Sequence, residues 1–394
     1  MWQRIKTWLG VASQQPTAPA ERGKQHVAFQ APRPDLADQQ PRWLAPADSP
    51  FGVRVLDVRP VTLGRLAVSA DPQMASNAVS YGGETGRSFA QQDPLHDRPV
   101  AGVLRFAAAA ACCDGALFIP TEMEDKWALF VQSQTLIVVR GWQRRVFLRA
   151  ALHPQDGFLE VRDVRGAIWN ADEPAAYTLQ ALDFLLRTHA LRLPWPAPLL
   201  DADRMNPEQL AIQCMSGFGR QAHFACVEPP PRDVPKRPLR TMTALHSAAL
   251  RSDLAAARAA LESGVPVDLP DPFGATALSY VADPGPLLAL LIEQGADVNR
   301  AADDGTTPLM AAAQRRKPKL VQALLSHAAQ PDVVDARGFS ALHRAAELGE
   351  AEIVASLLSH GADPDRVAAG QHTPRSLAQA RGHGALFSSD KRPE

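Results

Sequence analysis

From about residue 240 onward, the apolar positions fall into short amphipathic helices separated by turns, and the pattern repeats. Aligned on a turn signal, five segments read TALH from Thr243, TALS from Thr276, TPLM from Thr307, SALH from Ser340 and TPRS from Thr373, at steps of 33, 31, 33 and 33 residues. A second ladder keeps the same phase: SGVPVD from Ser263, QGADVN from Gln294, HAAQPD from His327 and HGADPD from His360. Two motifs that share one period indicate a stack of equivalent two-helix units. Thr or Ser at each turn stands where a side-chain oxygen caps the orphan amides of a first helical turn. Pro308 and Pro374 follow at the first helical position, where no N–H is missed. The pairs Ala248-Ala249, Ala312-Ala313 and Ala345-Ala346 let neighbouring helices approach closely. Second helices end in Ala260-Leu261, Leu290-Leu291, Leu324-Leu325 and Leu357-Leu358, and Gly264, Gly295 and Gly361 stop them with a left-handed residue. Ala328 replaces that glycine in the remaining unit and predicts a weaker or altered stop. The second unit is short and carries Asp283-Pro284-Gly285-Pro286 where its first helix should end, which predicts a truncated helix and a local bend. The last unit has Gln371 at the usual turn glycine, and its stretch 381–384 resembles an inter-helix turn, so it reads as a C-terminal cap.

Upstream the period changes from helical to strand-like. FGVRVLDV (51–58) alternates apolar and polar residues, and GVLRFA (102–107) and GALFIP (115–120) are further strand candidates. The run WALFVQSQTLIVVRGWQRRVFLRAAL (127–152) predicts two or three antiparallel strands with turns near Ser133 and Gly141, and FLEVRDV (158–164) adds another. A helix is expected to start at Pro174, with Tyr177, Leu179, Leu182, Leu185 and Leu186 at helical spacing and His189 near its end, then a short one over 207–216 and a last strand at HFACVE (223–228). The fold class is therefore multidomain: an α+β domain with a mainly antiparallel sheet over 50–227, then an all-α repeat array over 240–387. Residues 1–49 read as a largely disordered tail, 228–239 (with its run of prolines) as a semi-rigid linker, and 388–394 as a disordered end. Within the tail, Trp2, Ile5, Trp8 and Leu9 can share one helical face, but so short a helix predicts only a frayed start.

Composition changes this picture little. The 394 residues hold 41 Lys+Arg against 42 Asp+Glu, which argues against a nucleic-acid partner bound by bulk charge. Four cysteines without a CxxC pair point to reduced thiols and a cytoplasmic protein. No apolar run approaches the length that spans a bilayer, and no secretory signal is legible. The Ala/Arg-rich composition suggests a bacterial source.

The repeats resemble the ankyrin family, whose 33-residue unit is a β-turn followed by two antiparallel helices. The resemblance implies a solenoid whose turns and first helices line a concave groove for a protein partner. It also implies that the turn histidines, here His246 and His343, bond backbone between adjacent repeats rather than holding a metal. The positions free to vary in such repeats lie at the turn tip and just after the small-residue pair. In this chain they are Met242, Leu250, Arg251 and Phe273, then Asp303, Asp304, Thr306, Gln314 and Arg315, then Arg337, Phe339, Glu347, Leu348, His372 and Arg381. Arg315 and Arg337 together could grip an acidic stretch. Between 240 and 394 there are 15 Lys/Arg and 18 Asp/Glu, so the array has no strong overall field.

In the N-terminal domain the MEDKW segment (123–127) resembles a pattern in uncharacterised bacterial proteins, some joined to ankyrin repeats, and implies no activity. Glu122, Glu124 and Asp125 could form an acid/base cluster, but a solvated turn is the expectation. Cys112 and Cys113 follow an alanine run and should be buried. Cys214, His223 and Cys226 lack a fourth ligand and a recognised zinc spacing. SYGGETGRS (80–88) lacks the strand-to-helix context of a phosphate loop and reads as a flexible loop. No nucleophile, metal or phosphate-loop motif appears. The expectation is therefore an adaptor or scaffold that is not an enzyme and carries no cofactor or metal. The alternatives are an effector enzyme, or a small-ligand sensor, whose N-terminal domain acts while the repeats select the target. The identity of the partner and the oligomeric state stay open at this point.

Overall fold

The computed structural model describes residues 39–63, 76–77, 80–81, 83–107, 113–122 and 124–387. The amphipathic start, Cys112 and the end from 388 onward lie outside the described residues, as does most of the expected N-terminal tail. The chain divides into two units, the first ending at Thr241 and the second beginning at Met242.

The first unit carries the strand-rich sequence. Strands β1 (Arg42–Leu44) and β2 (Val55–Asp57) form a four-stranded sheet with β10 (Ala197–Pro198) and β11 (Phe224–Cys226), in the order β1-β2-β11-β10. The second sheet has seven strands: β3 (Pro99–Val100), β4 (Leu104–Ala107), β5 (Gly115–Phe118), β6 (Trp127–Gln132), β7 (Thr135–Arg140), β8 (Arg145–Gln155) and β9 (Phe158–Gly166). Its pairings are all antiparallel, and only β10 against β11 runs parallel. The turn at Ser133-Gln134 has both residues at positive φ, as a two-residue hairpin requires. Every residue of β6 is buried, which explains a run too apolar to alternate. One face, with Trp127 and Leu129, joins the main core with Leu182 and Phe184 of the helix Ala175–Leu185. On the other face, Phe89 stacks on Phe130 at 5.6 Å and Tyr81 lies 6.1 Å away.

Three places depart from expectation. Arg42–Leu44 is a strand inside the span read as a tail. The stretch 83–90 is folded rather than loose: Glu84 accepts from Gly86 N and Ser88 Oγ, and Phe89 is buried. The proline-rich segment is held against the first unit. Its Asp233 accepts from buried Arg187 at 3.0 Å, Arg232 pairs with buried Asp183 at 3.3 Å, and Leu239 lies in the core. Thr241 Oγ1 then donates to the Cys113 carbonyl at 2.7 Å.

The second unit is the repeat array. Repeat one has helices Ala244–Arg251 and Leu254–Glu262, and repeat two a 3-10 turn Ala277–Tyr280 with helix Pro286–Glu293. Repeat three has Pro308–Gln314 and Pro318–Ser326, and repeat four Ala341–Leu348 and Ala351–Ser359. The last unit has Pro374–Ala380 and a 3-10 turn Gly384–Phe387. The first helix of repeat two is truncated, as its prolines dictate. The stop at Ala328, expected to be weaker or altered, keeps its geometry at the cost of a left-handed alanine. Ala328 adopts φ +62°, and its N–H and that of Ala329 bond to Leu325 and Leu324 as a glycine stop would.

Candidate interaction face and the polar cluster of the first unit

Three sets of bonds build the repeat surface. The first zips the turns together: Asp303 N donates to Phe273 O, Ala336 N to Asp304 O and Ala369 N to Arg337 O, at 2.8–2.9 Å. Phe273, Asp304 and Arg337 therefore occupy equivalent tip positions along one edge. The second set locks the turns of repeats two and four to their own first helices. Asp271 is fully buried; its Oδ1 accepts from Phe273 N at 2.7 Å and Ala275 N at 2.9 Å, and its Oδ2 accepts from the Tyr280 hydroxyl. Burial raises the Asp271 carboxyl to about 6. Asp335 repeats the arrangement, with Oδ1 accepting from Arg337 N and Phe339 N and Oδ2 from Arg344 at 2.6 Å. The third set runs along the opposite edge: Asp268 accepts from Asp297 N at 3.0 Å, Asn299 from Gln330 N at 2.8 Å and Asp332 from Asp363 N at 3.0 Å. One column of side chains thus bonds the backbone of the next repeat, which gives the second sequence ladder its physical basis.

The turn histidines are structural. His246 Nδ1 accepts from Thr243 N at 3.3 Å, so Nε2 keeps the proton and donates to Leu269 O at 3.0 Å. His343 does the same with Ser340 N at 3.0 Å and His372 O at 3.3 Å. Burial lowers His246 to about 4 and lowers His343 as well, so both rings are neutral near pH 7.

The fifteen sequence-selected positions divide into three groups. Met242 is 1% exposed, so it offers no surface to a partner. Arg315 is also committed. Its guanidinium donates to the carbonyls of Ser279 (2.9 Å), Tyr280 (3.2 Å) and Val281 (2.8 Å). The truncated first helix of repeat two leaves those carbonyls without intrahelical donors, and Arg315 supplies them. It therefore cannot reach an acidic ligand alongside Arg337, and the expected two-arginine grip is absent. Glu347 and Arg381 pair with each other at 2.8 Å across repeats. Arg251, Asp303, Asp304, Gln314, Arg337 and His372 are exposed, while Leu250, Phe273, Thr306, Phe339 and Leu348 are half-buried. Phe339 lies between two guanidinium groups, Arg337 at 5.2 Å and Arg344 at 5.0 Å.

Sequence reasoning missed the Asp271–Tyr280 and Asp335–Arg344 pairs. A signal existed, since each joins residues nine apart at the same place in its repeat, whereas repeat three has Ala302 and Ala311 there.

In the first unit the Glu122–Lys126 segment is not the solvated turn expected, because Glu124, Asp125 and Lys126 are buried. Asp125 accepts from Thr121 N at 3.1 Å and Gln221 Nε2 at 3.2 Å, and burial raises its carboxyl. Arg220 pairs with Glu122. Lys126 Nζ sits 3.9 Å from the centre of the Trp142 ring, and burial lowers its ammonium to about 8. Trp127 Nε1 and Arg140 both donate to Gly217 O at 2.7 Å, at the end of helix Pro207–Phe218. Residues 124–127 thus clamp a strand start to a helix end. Cys214 and Cys226 are buried free thiols whose pKa values burial raises, while Cys113 is half-buried rather than buried. Among the described residues no group of three or more His, Cys, Asp or Glu could hold a metal ion, and no helix is long and apolar enough to cross a membrane.

Comparison with known proteins agrees with the geometry of the second unit. A family pattern described as "Ankyrin repeats (3 copies)" matches residues 282–368. Neurogenic locus notch homolog protein 1 of Xenopus tropicalis and that of Danio rerio are each 38% identical to this chain over 104 residues. The Homo sapiens protein of the same name is 36% identical over the same length. The aligned segment is 26% of this chain, and it spans only 4% of the length of those relatives. The period, the capped turns, the histidine bridges and this match lead to one conclusion: residues 282–368 are ankyrin repeats, a fold that generally serves as a protein–protein interaction module.

Proposed function

We propose that this protein is an adaptor or scaffold that binds a protein partner through the concave face of its repeats. The supporting observation is the division of labour among polar side chains. Asp271, Asp335, Arg315 and the two histidines hold the stack together, whereas Arg251, Asp304, Gln314 and Arg337 stand exposed along the turns and first-helix ends. Such a surface, spread over several repeats, suits recognition by many small contacts. Its charges are of both signs, which favours a protein over a nucleic acid. We extend the reading to a cytoplasmic, bacterial setting, supported by the thiols of Cys214 and Cys226 and the Ala/Arg-rich composition.

We also propose that the first unit is not an enzyme and works without a cofactor. Its candidate carboxylates are engaged internally, Glu122 by Arg220 and Asp125 by Thr121 and Gln221. The effector-enzyme or sensor alternative has one observation in its favour, the lowered Lys126 ammonium. The test is affinity capture from the source cell with the full chain and with a chain carrying Gln314→Ala, Phe339→Ala and Leu348→Ala. Partners lost from the variant at unchanged melting temperature support the adaptor reading. Partners retained equally by a chain ending at Thr241 would sink it.

A further inference from the structure

We propose that the turn-tip edge of repeats three and four holds an extended partner segment with a basic residue and, three positions away, an acidic one. This rests on the adaptor reading and narrows its ligand. Elimination carries the argument. Most charges near the groove are consumed inside the stack: Arg315 by three carbonyls, Arg381 by Glu347, Arg316 by Glu350 at 3.2 Å, Lys317 by Asp283 at 3.1 Å and Arg344 by Asp335. At the tips the situation differs. Asp304 is exposed and its turn bond, from Thr306 N at 3.0 Å, uses Oδ1. The Arg337 side chain is 64% exposed, lies along the Phe339 ring and reaches Asp335 only at 3.8 Å.

The two tips are neighbours, since Ala336 N donates to Asp304 O at 2.8 Å. Each turn contributes two extended segments to that edge, at about 4.8 Å apiece, so equivalent tips stand about 10 Å apart. An extended chain in the polyproline II form rises about 3.1 Å per residue and returns to the same face every third residue, so positions three apart bridge a carboxylate tip and a guanidinium tip. A polyanion would meet the Asp304 carboxylate, and a polycation would meet Arg337; only a segment of mixed sign satisfies both tips.

The test is selection of a random dodecapeptide display library on the full chain, repeated on Asp304→Asn and on the exchange variant Asp304→Arg with Arg337→Asp. Asp304→Asn keeps the turn acceptor while removing the charge, and circular dichroism checks that each variant is folded. The expected result is enrichment of Lys or Arg three positions from Asp or Glu. Those peptides should weaken about tenfold on Asp304→Asn, and the exchange variant should select the opposite order of charges. Peptides that bind repeats but ignore both variants overturn the register and leave the adaptor reading standing. If no peptide is retained above a control chain ending at Thr241, both fail.

Discussion

The guanidinium of Arg344 donates to Asp335 Oδ2 at 2.6 Å, at the same place in its repeat where the hydroxyl of Tyr280 meets Asp271. In both repeats a buried carboxylate ties the turn to the first helix, and residue i+9 completes it. Repeat three does without either partner, having Ala302 and Ala311. Removing Arg344 strands a buried carboxylate, whereas removing Asp335 also strips the Arg337 and Phe339 amides of their acceptor. Arg344→Ala should therefore cost about 2–3 kcal/mol, discounted because Arg344 is partly exposed. The double change Arg344→Ala with Asp335→Ala should cost more than Arg344→Ala alone. Urea unfolding of the three proteins measures this, and a double variant as stable as the single one contradicts it.

Arg315 should behave as a structural residue. Arg315→Ala leaves three carbonyls at the end of the short helix without their donor and should lose about 3 kcal/mol. Arg315→Lys keeps the charge but not the planar fork, so an intermediate loss is expected. A neutral effect of Arg315→Ala on the melting temperature would return this residue to the partner-facing set.

Stability should depend on pH with opposite signs at two buried groups. The Asp271 carboxyl rises from 3.8 to about 6 on folding, so its charged form is penalised. Relative to Asp271→Asn, the wild-type protein should gain stability as pH falls from 7 to 4, by up to about 3 kcal/mol. His246 falls from 6.5 to about 4 on folding, so its contribution is complete above 6.5 and is lost as pH drops through that window. Denaturation at several pH values for wild type, Asp271→Asn and His246→Gln separates the two. Parallel profiles would show that neither shift exists.

Ala328 holds a left-handed conformation that other repeats assign to glycine. The replacement Ala328→Gly should stabilise the array by about 1 kcal/mol, less a small entropic cost in the unfolded chain. A lower melting temperature for this variant would mean that the Ala328 methyl makes a contact worth more than its strain.

The proline-rich segment should come loose when its clamp is removed. Arg187 is buried between Asp183 and Asp233 and lies 4.0 Å from the Trp195 ring centre. Arg187→Met leaves Asp183 with Arg232 alone and should destabilise the first unit by about 3–5 kcal/mol. Exposed Lys236 should then be cut by trypsin faster than in the wild type, read by mass spectrometry before global unfolding. Equal cleavage rates would show that the segment is held elsewhere.

The sequence alone determined the repeat period, the caps, the helix stops and most strands of the large sheet. These depend on neighbours within a few residues: Thr243 caps amides three positions on, and alternation in FLEVRDV reflects the local pleat. It also told which residues stand near turn tips. Only the tertiary structure decided which of them remain available. Arg315 is consumed by carbonyls 34–36 positions earlier, Met242 is buried, and the apparent linker is held by Arg187 from 46 positions away. The same holds for Glu124, Asp125 and Lys126, whose charged sequence reads as solvated until Gly219 and Gln221 pack over it. A charged side chain carries no local mark of its partner. The pairing is set by which distant backbone or carboxylate the folded chain brings within hydrogen-bond reach, and no periodicity in the sequence encodes that distance.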